Sequence, residues 1–264
     1  MTTPTVSNLF IHPIKSLDRV SVTQVRILPG GSFAHDREFA LFDQGGNFVN
    51  GKRNSRVHLI RTTYDLSNFT VTLRAHDQEG TQTFHLLDER TRLESWFSNF
   101  FGFSVTMKRD TNIGFPDDPE SLGPTLISVA TLEEVSSWFP ELNREQASRR
   151  FRVNIEITHV PAFWEDRLFG EPGETVEFTV GEVKLHGVNP CQRCVVPSRH
   201  PETGDMIPGF QKIFTAKRQA TVPGWVNTAR FNHFYRLSIN TRVAPSETGK
   251  VIHLGDEVAT TRAI

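Results

Sequence analysis

Arg37-Glu38-Phe39-Ala40-Leu41-Phe42 runs into Asp43-Gln44-Gly45-Gly46 and then Asn47-Phe48-Val49. Two apolar runs flank a short segment of turn formers, which is the pattern of a β-hairpin. The same reading extends both ways along the chain. Upstream, Val6–Ile11 and Val20–Ile27 are short apolar runs rich in β-branched residues. Downstream, Val57–Thr62, Phe69–Arg74 and Gln82–Leu86 follow at the spacing of an antiparallel sheet. Leu73, Phe84 and Leu86 alternate with polar neighbours, as a half-buried sheet requires. A helix is expected over Asp88–Phe100, capped by Asp88 and ended by Gly102. Leu93, Trp96, Phe97 and Phe100 share its apolar face. Ser104–Lys108 returns to strand.

Asn112–Gly123 is rich in Pro, Gly and Asp and shows no periodicity, so it is a surface loop or a boundary between two lobes. Strands are then expected at Thr125–Ser128, Phe151–Thr158, Thr175–Val180, Glu182–Val188, Phe234–Val243 and Val251–Thr260. Thr131 and Glu134 have the spacing of a capping box for a helix over Leu132–Phe139, which stops before Pro140. Phe210–Gln219 reads as helical, and Pro190–Gly209 as a long structured loop. Many short strands with few helices predict a β-rich, mixed α+β fold built as a barrel.

The 264 residues fit one large domain or two small ones. With 29 basic residues against 30 acidic, the net charge of −1 argues against a polybasic binder of nucleic acid. A local basic pocket for a small anion is still compatible with it. No apolar run approaches the roughly 20 residues of a membrane span, so no membrane partner is expected. Met1–Ser7 lacks the basic-then-apolar pattern of a signal peptide. Two cysteines are too few for a disulfide-stapled secreted fold. The expectation is a cytoplasmic protein. Phenylalanine is abundant, 21 against 2 tyrosines, and reads as core filling.

Both cysteines lie in Pro190-Cys191-Gln192-Arg193-Cys194. Four readings stand side by side. A structural zinc site needs four ligands, which only His186 and His200 could complete, at a spacing unlike the usual finger. A thioredoxin-like pair needs a helix start after the motif, where this chain has Val195-Val196-Pro197. Two ordinary thiols are the third reading. In the fourth, Arg193 between the thiols stabilises a thiolate by direct charge, and a thiolate suits a soft or higher-valent metal. A second feature is a set of cations at turn or strand boundaries: Lys15, Arg37, Lys52, Arg53 and Arg152. Singly they read as surface charges, while together they could hold a phosphate through charge-assisted hydrogen bonds, with Ser16 adding a hydroxyl. Dinucleotide, P-loop and Gly-x-Ser-x-Gly fingerprints are absent from the sequence. Asp117, Asp118 and Glu120 read as solvated turn residues. His12, His35, His186 and His200 read as polar surface or satisfied sheet residues.

Taken in order, these stretches resemble the MOSC family with its N-terminal β-barrel extension, the group of the bacterial YcbX-like proteins and the mitochondrial amidoxime-reducing component. The resemblance is carried by Ile11-His12-Pro13-Ile14-Lys15-Ser16-Leu17, by Asp36-Arg37-Glu38-Phe39-Ala40-Leu41 with Gly46-Asn47-Phe48-Val49, and by Phe151-Arg152-Val153-Asn154. Cys191-Gln192-Arg193-Cys194 with Pro201-Glu202-Thr203-Gly204, and Gly255-Asp256-Glu257-Val258, complete it. The sequence departs from the family at Val153, where proline is usual, and at Asn50-Gly51-Lys52, where Thr-x-Arg is usual.

The resemblance implies an N-terminal β lobe over 1–110 and a MOSC β-barrel over 111–264. It implies a molybdenum cofactor, in which a phosphorylated pterin (molybdopterin) carries the metal; pyridoxal phosphate is not expected. By position, Cys194 is the metal ligand and catalytic residue, and Cys191 a neighbour. Lys15, Ser16, Arg37, Arg152 and Asn154 fall on positions that hold the pterin and its phosphate, and Gln192 and Arg193 flank the metal. The activity implied is reduction of small N-hydroxylated or N-oxygenated compounds. No Cys-rich ferredoxin domain and no membrane anchor are read in the chain, so the electrons would come from a separate protein of ferredoxin or flavin-reductase type. The alternative is a cofactor-handling or sulfur-carrier protein using Cys194 as a persulfide or thiolate.

Overall fold

The structure is a computed structural model and describes residues 3–76 and 79–260. The first strands are β1 (Thr5–Ile11), β2 (Val20–Val22), β3 (Gln24–Arg26) and β4 (Phe39–Phe42). There follow β5 (Ile60–Asp65), β6 (Thr70–Ala75), β7 (Gln82–His85), helix α1 (Arg90–Phe101) and β8 (Thr106–Arg109). The second half holds β9 (Leu126–Ser128), α2 (Val129–Ser137), α3 (Arg144–Phe151), β10 (Ile155–Thr158), β11 (Val176–Val180) and β12 (Val183–Gln192). It ends with α4 (Phe210–Ala220), β13 (Arg236–Val243), β14 (Val251–His253) and β15 (Val258–Thr260). The fold is therefore mixed and strand-rich, as expected.

The main sheet runs β15-β11-β12-β13-β9-β10-β1-β2. Its two ends meet. Thr5 of β1 bridges Glu257 just ahead of β15, the Val6 amide donates to Asp256 O at 2.9 Å, and the Val258 amide donates to Pro4 O at 2.9 Å. These bonds close the sheet on itself and pair the backbone groups that an edge strand would leave open. β1 and β2 come from the start of the chain and the other six strands from the second half. Smaller sheets β4-β8 and β5-β6-β7 build the other lobe.

Three apolar clusters fill these layers. One lies inside the closed sheet, with Phe33, Phe169, Phe178 and Ile155. One joins β4–β8 to α1 through Phe84, Phe97, Phe100 and Phe101. The third seats α2, α3 and α4 on the sheet, where Phe139 stacks on Phe210 at 4.4 Å between ring centres. Phenylalanine suits these positions because it buries a large apolar area with no hydroxyl to satisfy.

Several local expectations are corrected. The run Val20–Ile27 divides: β2 pairs with β1, and β3 pairs with β14 in a separate ribbon. The Asp43–Gly46 turn forms, with the Gly46 amide donating to Asp43 O at 3.0 Å. Beyond it, only a single bridge, Phe42 to Phe48, stands in for the second strand, and β4 takes β8 as its partner. Ser55–Leu59 is a turn of 3-10 helix ahead of β5. Asp88 does not cap α1, since Glu89 precedes the helix and accepts from the His85 amide at 2.8 Å. Ser128 rather than Thr131 caps α2, accepting from the Thr131 amide at 3.0 Å. The expected strand at Phe151 starts later, because Asn143 and Gln146 form a capping box and open α3. Strand β12 runs on through Cys191 to Gln192, a stretch expected to be loop.

A buried polar cluster ties α2 to the segment after β10. Glu165 accepts from Thr131 Oγ1 at 3.1 Å and from the Ser128 amide at 3.3 Å, and its other oxygen has no partner. Burial, aided by the charge of Asp166, pushes Glu165 up to about 7 from an ordinary 4.5. A carboxyl raised in this way favours the fold most below its unfolded value. That contribution is lost as pH rises through the folded value. Glu165→Gln should stabilise the protein by up to a few kcal/mol near pH 8 and change little near pH 4.5, read from urea melts at the two pH values.

Candidate functional site

A cavity of about 600 Å³ opens between the two lobes, a size suited to a small molecule or cofactor. All eight site residues that the resemblance implies line it: Lys15, Ser16, Arg37, Arg152, Asn154, Gln192, Arg193 and Cys194. Of the other cations and thiols singled out, Lys52 and Cys191 line it and Arg53 does not. The eight arrive from four parts of the chain. Lys15 and Ser16 follow β1, and Arg37 precedes β4. Arg152 and Asn154 join α3 to β10, and the cysteine segment ends β12. Asn112–Gly123, expected to be a loop or boundary, supplies the facing wall through Ile113, Pro116, Asp117 and Ser121.

The backbone at these positions is unusual. Ser16, Arg37 and Arg152 all have positive φ, at 75°, 51° and 53°, and so does Ser238 behind the cysteine segment, at 64°. Non-glycine residues avoid this region at a cost of about 1–2 kcal/mol each. Such strain tends to gather where a site dictates the direction of side chains.

The cations are held in a particular way. Lys15 donates to Phe115 O at 2.9 Å, Arg152 to Leu17 O at 2.8 Å, Arg236 to Pro190 O at 2.8 Å and Arg150 to Pro197 O at 3.1 Å. Arg193 donates to Phe151 O. A carbonyl satisfies an N–H without cancelling its charge, so the positive potential persists. Carboxylates are fewer. Arg37 pairs with Asp36. Asp117 accepts from Lys15 at 2.8 Å and lies 3.4 Å from Lys52. Burial would raise Asp117, but Lys15, Arg37 and Lys52 hold it well below the usual carboxylate range. It is thus an ion-pair partner on the cavity wall, which adds to its reading as a solvated turn residue, since its side chain is also exposed. Asp118 likewise accepts from Asn240 at 3.2 Å, while Asp117 and Glu120 are exposed as expected. Burial and the neighbouring Arg37 push Lys15 down despite Asp117. Burial and Arg37 bring Arg152 down to about 10.

Two histidines complete the wall behind the cations. His12, read as surface or sheet, is fully buried, and burial with the charge of Arg152 lowers it to about 3. His58, which the sequence does not mark, falls to about 4 through burial and Arg152. Both are neutral at physiological pH. Asn154 is committed to the fold: its amide donates to Phe10 O at 3.1 Å and its oxygen accepts from the Thr125 amide at 3.2 Å.

The two thiols are free and half-buried. Cys191 sits on β12, with the Arg193 guanidinium 3.2 Å from its sulfur. Cys194 lies beyond the strand end and is fixed through its backbone, its carbonyl accepting from Tyr235 Oη at 3.0 Å. A single 3-10 turn follows, Val196–Ser198, so the helix start of a thioredoxin-like pair is missing. Among the described residues, no three His, Cys, Asp or Glu side chains group as a metal-binding set, so the zinc reading lacks the four-ligand set it needs. No helix among them is long and apolar enough to cross a membrane.

Residues 3–103 match the MOSC N-terminal beta barrel domain, and residues 125–259 match the MOSC domain. The chain belongs to the MOSC family. It is similar to mitochondrial amidoxime reducing component 2 of Bos taurus, 25% identical over 76% of this chain and 68% of the relative. The Homo sapiens counterpart is 25% identical over 81% and 71%. Molybdenum cofactor sulfurase of Homo sapiens is 23% identical over 79% of this chain but only 28% of its own length. In this MOSC protein the Asn112–Gly123 wall lies within the stretch between the two matched segments, residues 104–124. Tyr235→Phe should cost about 1 kcal/mol in urea, the worth of one hydrogen bond. In a Cys191→Ala background it should also speed the reaction of Cys194 with a thiol reagent.

Proposed function

We propose that this MOSC protein is a molybdenum-cofactor-dependent oxidoreductase that reduces small N-hydroxylated or N-oxygenated compounds. The observation that carries the reading is one cavity in which a free thiol, Cys194, shares walls with cations that backbone carbonyls hold without neutralising. The donor set suits the group. Arg150 and Arg152 have no carboxylate within 4.0 Å among the described residues, and Arg150 Nε is buried without a partner. A phosphate supplies the missing charge and acceptors. A thiolate suits a soft or higher-valent metal.

When bound, the cofactor would supply a metal centre that accepts the substrate oxygen and two electrons per turnover. The chain's own part is positioning. Cys194 is the metal ligand, held in place by Tyr235 through its carbonyl. Lys15, Ser16, Arg37 and Arg152 hold the anionic cofactor, with Asn154 fixing the wall behind them. Arg193 spans Cys191, Ser238 and Phe151, so it fixes the path of the loop that presents Cys194. Gln192, exposed at the strand end, flanks the mouth. Electrons would come from a separate electron-transfer protein.

A sulfur-carrier role is a second reading, favoured by the likeness to molybdenum cofactor sulfurases and by a half-exposed free thiol. Elemental analysis separates the two. Molybdenum should approach one atom per chain in the wild type and be lost in Cys194→Ala, with a smaller effect of Cys191→Ala. The loaded protein should reduce benzamidoxime with a suitable donor. Molybdenum retained in Cys194→Ala overturns the ligand assignment, and a persulfide on Cys194 without metal favours the carrier.

A further inference from the structure

A second cavity, of about 420 Å³, lies on the far side of Arg150 and Arg152 and shares them, with Ser16 and His58, as a common wall. Six arginines line it: Arg19, Arg61, Arg149, Arg150, Arg152 and Arg199. Two carboxylates face them, and both are taken. Glu145 accepts from Arg19 at 3.1 Å, and Asp18 accepts from Arg61 at 2.8 Å. Arg149 pairs outward with Glu202 at 2.7 Å. Arg19 is further fixed by Ser148 and by the Phe10 ring, 3.6 Å from its guanidinium.

That leaves Arg150, Arg152 and Arg199. None has a carboxylate within 4.0 Å among the described residues, and each donates to a backbone carbonyl: Pro197 O, Leu17 O and Gly204 O. The Nε atoms of Arg150 and Arg199 are buried without partners, and so is Nε2 of His58. Arg150 is only 3% exposed. Three uncancelled guanidiniums with unused donors around one concavity form a site built for an anion, because a buried N–H without an acceptor costs free energy that a ligand oxygen recovers.

We propose that this second cavity is a phosphate-binding site, distinct from the thiol-bearing cavity and separated from it by the Arg150–Arg152 wall. A phosphate monoester matches the donors better than a carboxylate does, with up to two charges and three terminal oxygens for three guanidinium forks. The ligand assigned here is a small phosphate ester other than the cofactor, because Arg199 lines this cavity and not the thiol-bearing one. The proposal rests on the arginines and holds whether or not the chain binds molybdenum.

The test is isothermal titration of the full chain with inorganic phosphate at low ionic strength, in cofactor-free and cofactor-loaded protein. In the cofactor-free protein two saturable sites are expected, one in each cavity, because the cations of the first take a phosphate as well. In the cofactor-loaded protein the site in the second cavity should remain. There Arg199→Gln, in the second cavity alone, should weaken it at least tenfold, and Arg199→Lys should restore part of the loss. Lys184→Gln, outside both cavities, should change it less than twofold. Absence of saturable binding to the loaded protein overturns the proposal, because the site is then the cofactor's own, and so does a loss in Lys184→Gln as large as in Arg199→Gln. If Arg199→Gln melts well below the wild type, the comparison of Arg199→Lys with Lys184→Gln decides, because Lys keeps the charge and removes only the fork.

Discussion

The cations of the main cavity are held by carbonyls more than by carboxylates, and the chain around them is shaped by that constraint. Seven cationic side chains line this cavity against three carboxylates. Like charges at such range repel strongly once water is thinned out. The fold keeps them satisfied with neutral backbone acceptors, so their hydrogen bonds are made and their field survives. Phe151 O ends α3, Leu17 O lies in the β1–β2 loop, Pro197 O in the 3-10 turn after the cysteines, and Pro190 O at the irregular end of β12.

The left-handed residues follow from the same demand. Arg37 and Arg152 aim their side chains inward only because the backbone reverses at each, and a β-conformation at either position would send the guanidinium elsewhere. Closure of the main sheet supports this strain. β1 is held between β10 and the start of β15, which fixes where the segment carrying Lys15 and Ser16 begins. Asn154 adds a latch by bonding Phe10 on one side and Thr125 on the other. Its full engagement in the fold accounts for its place beside Arg152.

Much of the site is legible in the amino-acid sequence. Motifs mark Lys15, Ser16, Arg37, Arg152 and Cys194, and the fold brings them to one cavity. Nothing in the sequence marks His58, Tyr235, Asp117 as an ion-pair partner, or the arginines of the second cavity. Arg19, Arg61, Arg149 and Arg199 are far apart along the chain, and a lone arginine carries no signal of its neighbours. Helix α3 is a different case. Asn143 and Gln146 carry its capping signal, but the strand pattern that begins at Val153 extends back over Phe151 on residue type alone and masks the end of the helix.

Residue type, alternation and turn chemistry within a few positions are enough for the strand-rich mixed fold, for the lack of a basic excess, and for the motif order that marks the MOSC family. These are local properties, and a linear chain carries them in full. Contacts between distant segments settle what is left. They make β8, not the hairpin arm, the partner of β4, split one apolar run between two sheets, and carry β12 through the first cysteine. They also settle which charges meet. Hydrogen bonds and Coulomb energies depend on distance in space, and only the closed sheet brings residues 15, 37, 152 and 194 within reach of one ligand.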